Sequence, residues 1–283
     1  MARPEGAVRM KRLLRNPAAL AGMVIIGLFL LTAALAPLMS PHDPTLQDLA
    51  QRLKPPGTEG HLLGTDRLGR DVLARILYGA RLSLLISISS VLIGMAIGVP
   101  LGLVSGYVGG RLDDLLMRLG DIQLSLPFIL LVIAIIAALG PSLTNTILTL
   151  GVTSWVVYAR VVRGSVLSLK EQDFVQAARA LGAPTQRILT RHLLPNAAGP
   201  LIVVATLELA RIIVSEAALS FLGLSGVPPE VPSWGQMLAD GREVLYFGGW
   251  WVATFPGVAI SLVVLGINLL GDALGEVLDP RSR

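Results

Sequence analysis

The sequence predicts an all-α, polytopic membrane protein, and three observations carry that reading. Of 283 residues, 53% are hydrophobic and only 15% charged, against about a quarter charged in an ordinary soluble domain. Uncharged stretches recur along the chain, each near the roughly 20 apolar residues that cross a ~30 Å hydrocarbon layer as a helix. The basic residues, almost all of them Arg, gather between those stretches. That is a topological bias rather than a nucleic-acid footprint.

Ala18–Met39 is the first uncharged run. Arg9, Lys11, Arg12 and Arg15 precede it, and Ala34-Leu35-Ala36 has the form of a signal-peptidase site. The run outlasts a signal sequence and Pro37 follows the cleavage point, so an uncleaved anchor is expected. From 40 to 81 the chain carries Pro41, Pro44, Pro55 and Pro56 and reads as an excursion with little regular structure until a helical pattern resumes at Asp71. The second run, Leu82–Val108, places Gly94, Gly98, Gly102 and Gly106 at spacing four, with Ser90 one step earlier. Such a ridge lets another helix approach closely. The third run, Ile122–Leu139, extends back toward Leu115, and Gly140–Ala159 is the fourth. Pro100 and Pro127 are candidate kinks.

The fifth run, Ala197–Leu224, is interrupted by Glu208, Arg211 and Glu216, and the sixth is Val244–Gly271. A charge at the centre of a span costs about 2.5–3.5 kcal/mol on insertion scales. Glu208 and Arg211, three apart, can pair within the protein; otherwise this helix faces a water-filled path or a partner subunit. Between runs five and six, SFLGLSGVPPEVPSWGQMLADG reads as an outer or re-entrant cap whose Gly, Pro and Trp234 suit an interfacial docking surface. About six spans result. With the N-terminus inside, the inner segments hold 15 Lys and Arg and the outer segments 7, which favours cytoplasmic termini.

Much chemistry is absent. Zero Cys excludes disulfides, thiolate metal sites and a Cys nucleophile. Lys11, Lys54 and Lys170 follow Met, Leu and Leu, so no P-loop is present and the chain is not itself a P-loop ATPase. His42, His61 and His192 are scattered without metal-ligand spacing, and no metal is expected. Gly223-Leu224-Ser225-Gly226 has the GxSG form of an intramembrane protease, which also needs a His near its Ser; a glycine turn explains it.

One polar stretch stands apart: DFVQAARALGAPTQRILTRHLLPN, Asp173 to Asn196. Ser168 and Glu171 have capping-box spacing for a helix start. Ala177, Ala178 and Leu181 form its apolar stripe, and Gly182 suits a left-handed stop. Pro184 opens a second helix, faced by Ile188, Leu189, Leu193 and Leu194, and Pro195 ends it. The product is a helix–turn–helix knob with Arg179, Arg187 and Arg191 on polar faces. A lipid-surface helix and a docking element both fit; a rigid knob favours docking.

QAARALG followed by HLLP resembles the EAA loop of ABC importer permeases. Ala177, Ala178, Gly182, Leu194 and Pro195 match that pattern, while Gln176 replaces the usual Glu and His192 a common aliphatic; Arg191 lies beside them. HLLGTDRLGRDVLARILYGARLSL (His61–Leu84) and SEAALSFLGLSGVPPEVPSWGQML (Ser215–Leu238) are similar to the second permease subunit of the dipeptide/oligopeptide/nickel branch. The resemblance runs from about Leu13 to Pro280. It implies a type I importer permease: residues 1–75 as N-tail, first helix and outer segment, and 76–283 as a five-helix core with a coupling loop at 168–196. It further implies a homologous second permease, forming a heterodimer, and cytoplasmic ABC ATPase subunits that use ATP and Mg. An extracytoplasmic solute-binding protein and lipid complete the partners, in a bacterial or archaeal cytoplasmic membrane. No cofactor, nucleic acid or catalysis belongs to this chain. The substrate stays open among peptides, nickel complexes and other small solutes. The alternative is an ion-coupled secondary transporter using Glu208 or Glu216, whose inverted repeat is not apparent.

Overall fold

The computed structural model describes residues 14–40 and 42–278; Arg9, Lys11, Arg12, Pro41 and the tail from 279 lie outside them. The helices are α1 (Pro17–Met39), α2 (Val72–Val108), α3 (Gly110–Leu124), α4 (Phe128–Leu139), α5 (Leu143–Thr153), α6 (Trp155–Leu169), α7 (Asp173–Ala180), α8 (Thr185–Phe221), α9 (Trp234–Val244) and α10 (Trp251–Leu278). Among the described residues four helices, α1, α2, α8 and α10, are long and apolar enough to cross a membrane. A fifth span results if α3 and α4 count as one despite an 88° bend between them.

Of the six expected runs, four are met by the long helices and another by the bent pair, while Gly140–Ala159 is spread over two shorter helices. Ser125-Leu126-Pro127 separates α3 from α4, with Pro127 at the N-cap of α4. Proline disfavours helical backbone in the residue before it, so the ladder stops there. Gly140–Ala159 divides at Ser154 into α5 and α6. Thr153 Oγ1 donates to the Thr149 carbonyl at 2.6 Å and Ser154 Oγ to the Leu150 carbonyl at 2.7 Å, hydroxyl bonds that compete with the helical ladder. The sixth run starts late, at Trp251, because Gly248 (φ 83°) turns the chain after a single 3₁₀ turn. Pro100, in contrast, lies inside an unbroken α2.

Outside these helices the segment 42–71 is a loop with one 3₁₀ turn at Leu49–Gln51 and two isolated bridges; the helical pattern resumes at Asp71 as expected, and its side chain caps α2. The glycine ridge of α2 is where α6 closes in. A Cβ on Gly94 would lie 2.8 Å from Tyr158, one on Gly98 2.3 Å from the Trp155 carbonyl, and one on Gly102 2.5 Å from the Ala159 carbonyl. Backbone contact of this kind replaces hydrophobic driving force with van der Waals packing, the main resource for helices in lipid. The contact of α1 with α10 works the same way, through Gly22 against the Gly266 carbonyl. Asn16 caps α1 and also donates to Glu276 at 3.1 Å. That places the start of α1 beside the end of α10.

Candidate functional site

The helix–turn–helix between α6 and α8 is built from local chemistry. α6 runs through Leu169, closed by the Lys170 N–H to the Val166 carbonyl at 2.9 Å, so Ser168 sits in its last turn. The expected capping box at Ser168 is therefore absent: an N-cap needs extended backbone, and Gln172 supplies it at φ −78°, ψ 148°. Gly182 (φ 76°) then ends α7. Its N–H bonds the Arg179 carbonyl and the Ala183 N–H bonds the Ala178 carbonyl, both at 3.0 Å, the paired bonds of a Schellman stop.

The apolar stripe differs from the expected one. Val175 is buried and Ala178 half-buried, while Ala177 is exposed and Leu181 is 88% exposed. Phe174 is exposed as well. Leu181 thus belongs to the outer surface of the knob and Val175 anchors its inner side. Ile188 and Leu193 anchor α8 in the same core, with Leu189, Leu194 and His192 half-buried and Arg191 and Pro195 exposed.

Pro195 does not stop the second helix. Ile188–Leu193 form a π-helical turn in which the Leu194 N–H reaches the Leu189 carbonyl, and an α-helix follows directly from Leu194. The widened turn and the fresh α-helical start put Pro195 in a first-turn position, where its missing N–H costs least. Pro184, expected at the first helical position, is the N-cap immediately before it. The consequence is mechanical: Thr185–Phe221 runs on as one 37-residue helical stretch, so the knob's second helix and a membrane span are continuous.

Gln176 has a specific local job. Its Nε2 donates to the Lys170 carbonyl at 3.0 Å and closes the α6–α7 turn. An ionised Glu accepts only and could not make that bond. Lys170 Nζ in turn donates to the Gly106 carbonyl at 3.0 Å, and the Arg179 guanidinium lies 5.3 Å from the Tyr107 ring centroid. Both contacts seat the knob on the C-terminal end of α2.

The three interior charges of α8 separate into two arrangements. Arg211 Nη2 donates to Glu208 Oε2 at 2.5 Å and stacks on Phe128, 4.0 Å from its centroid. Glu208 is buried while about a third of the Arg211 side chain is exposed. Glu216 is fully buried and accepts from Ser83 Oγ at 3.2 Å and Ser220 Oγ at 2.7 Å.

Sequence reasoning missed a cluster at the opposite end of α2. Asp66 accepts from Arg70 Nε at 2.6 Å, and Asp240 of α9 accepts from Arg70 Nη2 at 3.1 Å. Arg67 pairs with Asp240 and Glu243, and the buried Arg75 lies 3.6 Å from Asp66. Three of the six basic residues of segment 40–81 thus lie against acids. The alternating signs of TDRLGRD were the available signal. Trp234 is likewise no interfacial residue: it is buried, with Nε1 on the Ile76 carbonyl at 3.0 Å and its ring against Gly79. Gly223 (φ 73°) and Gly226 (φ 64°) form the expected glycine turn.

Comparison with known proteins accounts for this arrangement. Residues 98–283 match the family described as binding-protein-dependent transport system inner membrane component, and residues 7–56 match the N-terminal TM domain of oligopeptide transport permease C. The chain is 46% identical to the di/tripeptide transport system permease protein DppC of Pseudomonas aeruginosa, over 95% of this chain and 89% of that one. It is 41% identical to the oligopeptide transport system permease protein OppC of Bacillus subtilis, over 97% of this chain and 89% of that one. An inward-facing structure of the MetNI methionine ABC transporter covers 73% of this chain and 97% of its own at 25% identity, with a TM-score of 0.60. The chain belongs to the DppC/OppC family of ABC transporter permeases, the non-catalytic inner-membrane components of binding-protein-dependent transport systems.

Proposed function

We propose that this chain forms half of the pathway of a peptide importer and that its knob docks a cytoplasmic ATPase. The continuity of Thr185–Phe221 carries the reading: a force that reaches the knob's second helix passes into a span with no break in helical structure between them. The exposed Phe174, Ala177 and Leu181 offer the apolar contact, and Arg179, Arg187 and Arg191 the charged rim. The second permease is a homologue of this chain, and an extracytoplasmic binding protein delivers the substrate to the far face. Peptide cargo is supported by the names of the relatives, which specify dipeptides, di/tripeptides and oligopeptides.

The knob and the described ends of α1 and α10 share one side, since Asn16 meets Glu276 while Val203 of α8 lies against Gly275. The positive-inside bias makes that side the cytoplasm. ATP binding then closes the partner ATPases and shifts the knob, and differential contacts worth about 5.5 kcal/mol suffice to move a two-state equilibrium from 1:99 to 99:1. Of the interior charges, Arg211 is the candidate for the pathway or the permease–permease interface, because Glu208 is satisfied by it and Glu216 by two serines.

Reconstitution in proteoliposomes with the partner permease, ATPases and binding protein tests this directly. Dipeptide uptake is expected only with ATP and Mg inside the vesicle-accessible ATPase compartment and binding protein on the opposite face. Uptake driven by a proton or sodium gradient without ATP would establish the secondary-transporter alternative instead.

A further inference from the structure

We propose that His42, His61 and Asp71 form a site for a divalent transition-metal ion that clips the loop after α1 to the start of α2. The three residues are distant in sequence, and the loop brings them together. Ser40, the C-cap of α1, donates through its hydroxyl to the His42 carbonyl at 2.7 Å. The bridges Thr58–His61 and Thr65–Asp71 fold the following chain back on itself, and Asp71 begins α2. The potential ligand atoms of all three residues lie within 4.8 Å of one another.

The geometry is close to that of a bound ion. Asp71 Oδ2 lies 2.9 Å from His61 Nδ1 and 3.9 Å from His42 Nδ1, and the two imidazoles stack with centroids 4.9 Å apart. Metal–ligand bonds of about 2.0–2.2 Å at tetrahedral angles place donor atoms roughly 3.3–3.6 Å apart, between the 2.9 Å and 3.9 Å separations from Asp71. A hydrogen bond accounts for His61 and Asp71 and stacking for the two rings; an ion gives the second imidazole nitrogen, 3.9 Å from the same carboxylate oxygen, a role as well. Asp71 Oδ1 accepts from the Ala74 N–H at 2.7 Å, so the ligand carboxylate is fixed by the helix it caps, the kind of outer contact that orients metal ligands.

Access and donor set define the ion. Side-chain exposure falls from 34% at His42 to 13% at His61 and 5% at Asp71, which leaves entry from one side. An adjoining cavity of about 210 Å³, lined also by Asp43, Asp48 and Gln51, has room for water in the remaining coordination positions. Two imidazoles and one carboxylate suit Zn²⁺, Co²⁺, Ni²⁺ or Cu²⁺, whereas Mg²⁺ and Ca²⁺ prefer all-oxygen shells. The site sits at the N-terminal end of α2, and its 37 residues separate the site from the knob by about 55 Å at 1.5 Å per residue. An ion here acts on the outer loop and not on ATPase docking.

The full chain, carrying an affinity tag without histidine, is titrated in detergent with Co²⁺ and then Zn²⁺. The expected result is a visible ligand-field band at one Co²⁺ per chain, displaced by Zn²⁺, with Zn²⁺ raising the unfolding temperature. Affinity is expected to fall at least about tenfold in His42→Ala, whose side chain is part-exposed and expendable for folding. Asp71→Asn keeps an oxygen for the helix cap while removing the anionic ligand, and loses the band too. No band in the parent chain, or equal Co²⁺ affinity in the parent and both variants, overturns the site.

Discussion

Gly98→Val is expected to yield little folded permease, and what folds should unfold at a markedly lower temperature. A Cβ at Gly98 meets the Trp155 carbonyl at 2.3 Å and Tyr158 Cβ at 2.8 Å. Neither obstacle is the free end of a side chain, so the two helices must separate. Overpacking in a close-packed interior costs about 1–3 kcal/mol, and a clash with helix backbone belongs at the upper end. Gly94 and Gly102, one turn to either side, would lose their own contacts with α6 as the helices part. Gly27→Val is the control: nothing lies within 4 Å of a Cβ there, and a change within about 0.5 kcal/mol is expected. Thermal unfolding of the two variants in detergent reads the difference. Equal unfolding temperatures would mean that α2 and α6 do not meet along the glycine ridge.

Gly182→Val should leave the permease folded and ATP hydrolysis running while uptake falls about tenfold or more. A Cβ at Gly182 meets nothing within 4 Å, so the cost is conformational. The residue holds φ 76°, a region that costs non-glycine residues about 1–2 kcal/mol and β-branched ones most. Relieving it undoes the two Schellman bonds and turns α7 away from the start of α8. The ATPase then keeps a partner whose motion no longer reaches the span. Gly182→Asn, which tolerates the left-handed region, should retain most uptake. Measured together in proteoliposomes, uptake in Gly182→Val equal to that of the parent chain would remove the coupling through the Gly182 turn.

The long elements were legible because each is written in one continuous signal. The apolar runs mark α1, the later part of α2, and the membrane portion of α8, and Gly182 announces its own left-handed turn. Interruptions were harder to read. Pro127 was visible as a kink, but its 88° consequence depends on what α3 and α4 each pack against. Ser154 carries no breaker at all; its hydroxyl competes with the ladder only in that local setting. At Pro195 the residue-level rule was right about the lost N–H and wrong about the outcome, because a π-turn absorbed it. Leu181 looked like core by spacing, yet Val175 took the inner position and left Leu181 outside. Contacts between distant segments, such as Arg70 with Asp240 or His42 with Asp71, are not fixed by local sequence: TDRLGRD signals a charge cluster but not its partner, which emerges only when the loop folds.

The docking claim can be tested at a single atom, since the chain contains no native cysteine. A lone Cys at Ala177, exposed on the knob, is crosslinked in membranes of the native host and the attached protein is identified by mass spectrometry. An ABC ATPase subunit, with a crosslinking yield that changes when nucleotide is added, is the expected result. An adduct with lipid alone, from protein that remains folded, would contradict it and return residues 173–196 to the membrane surface.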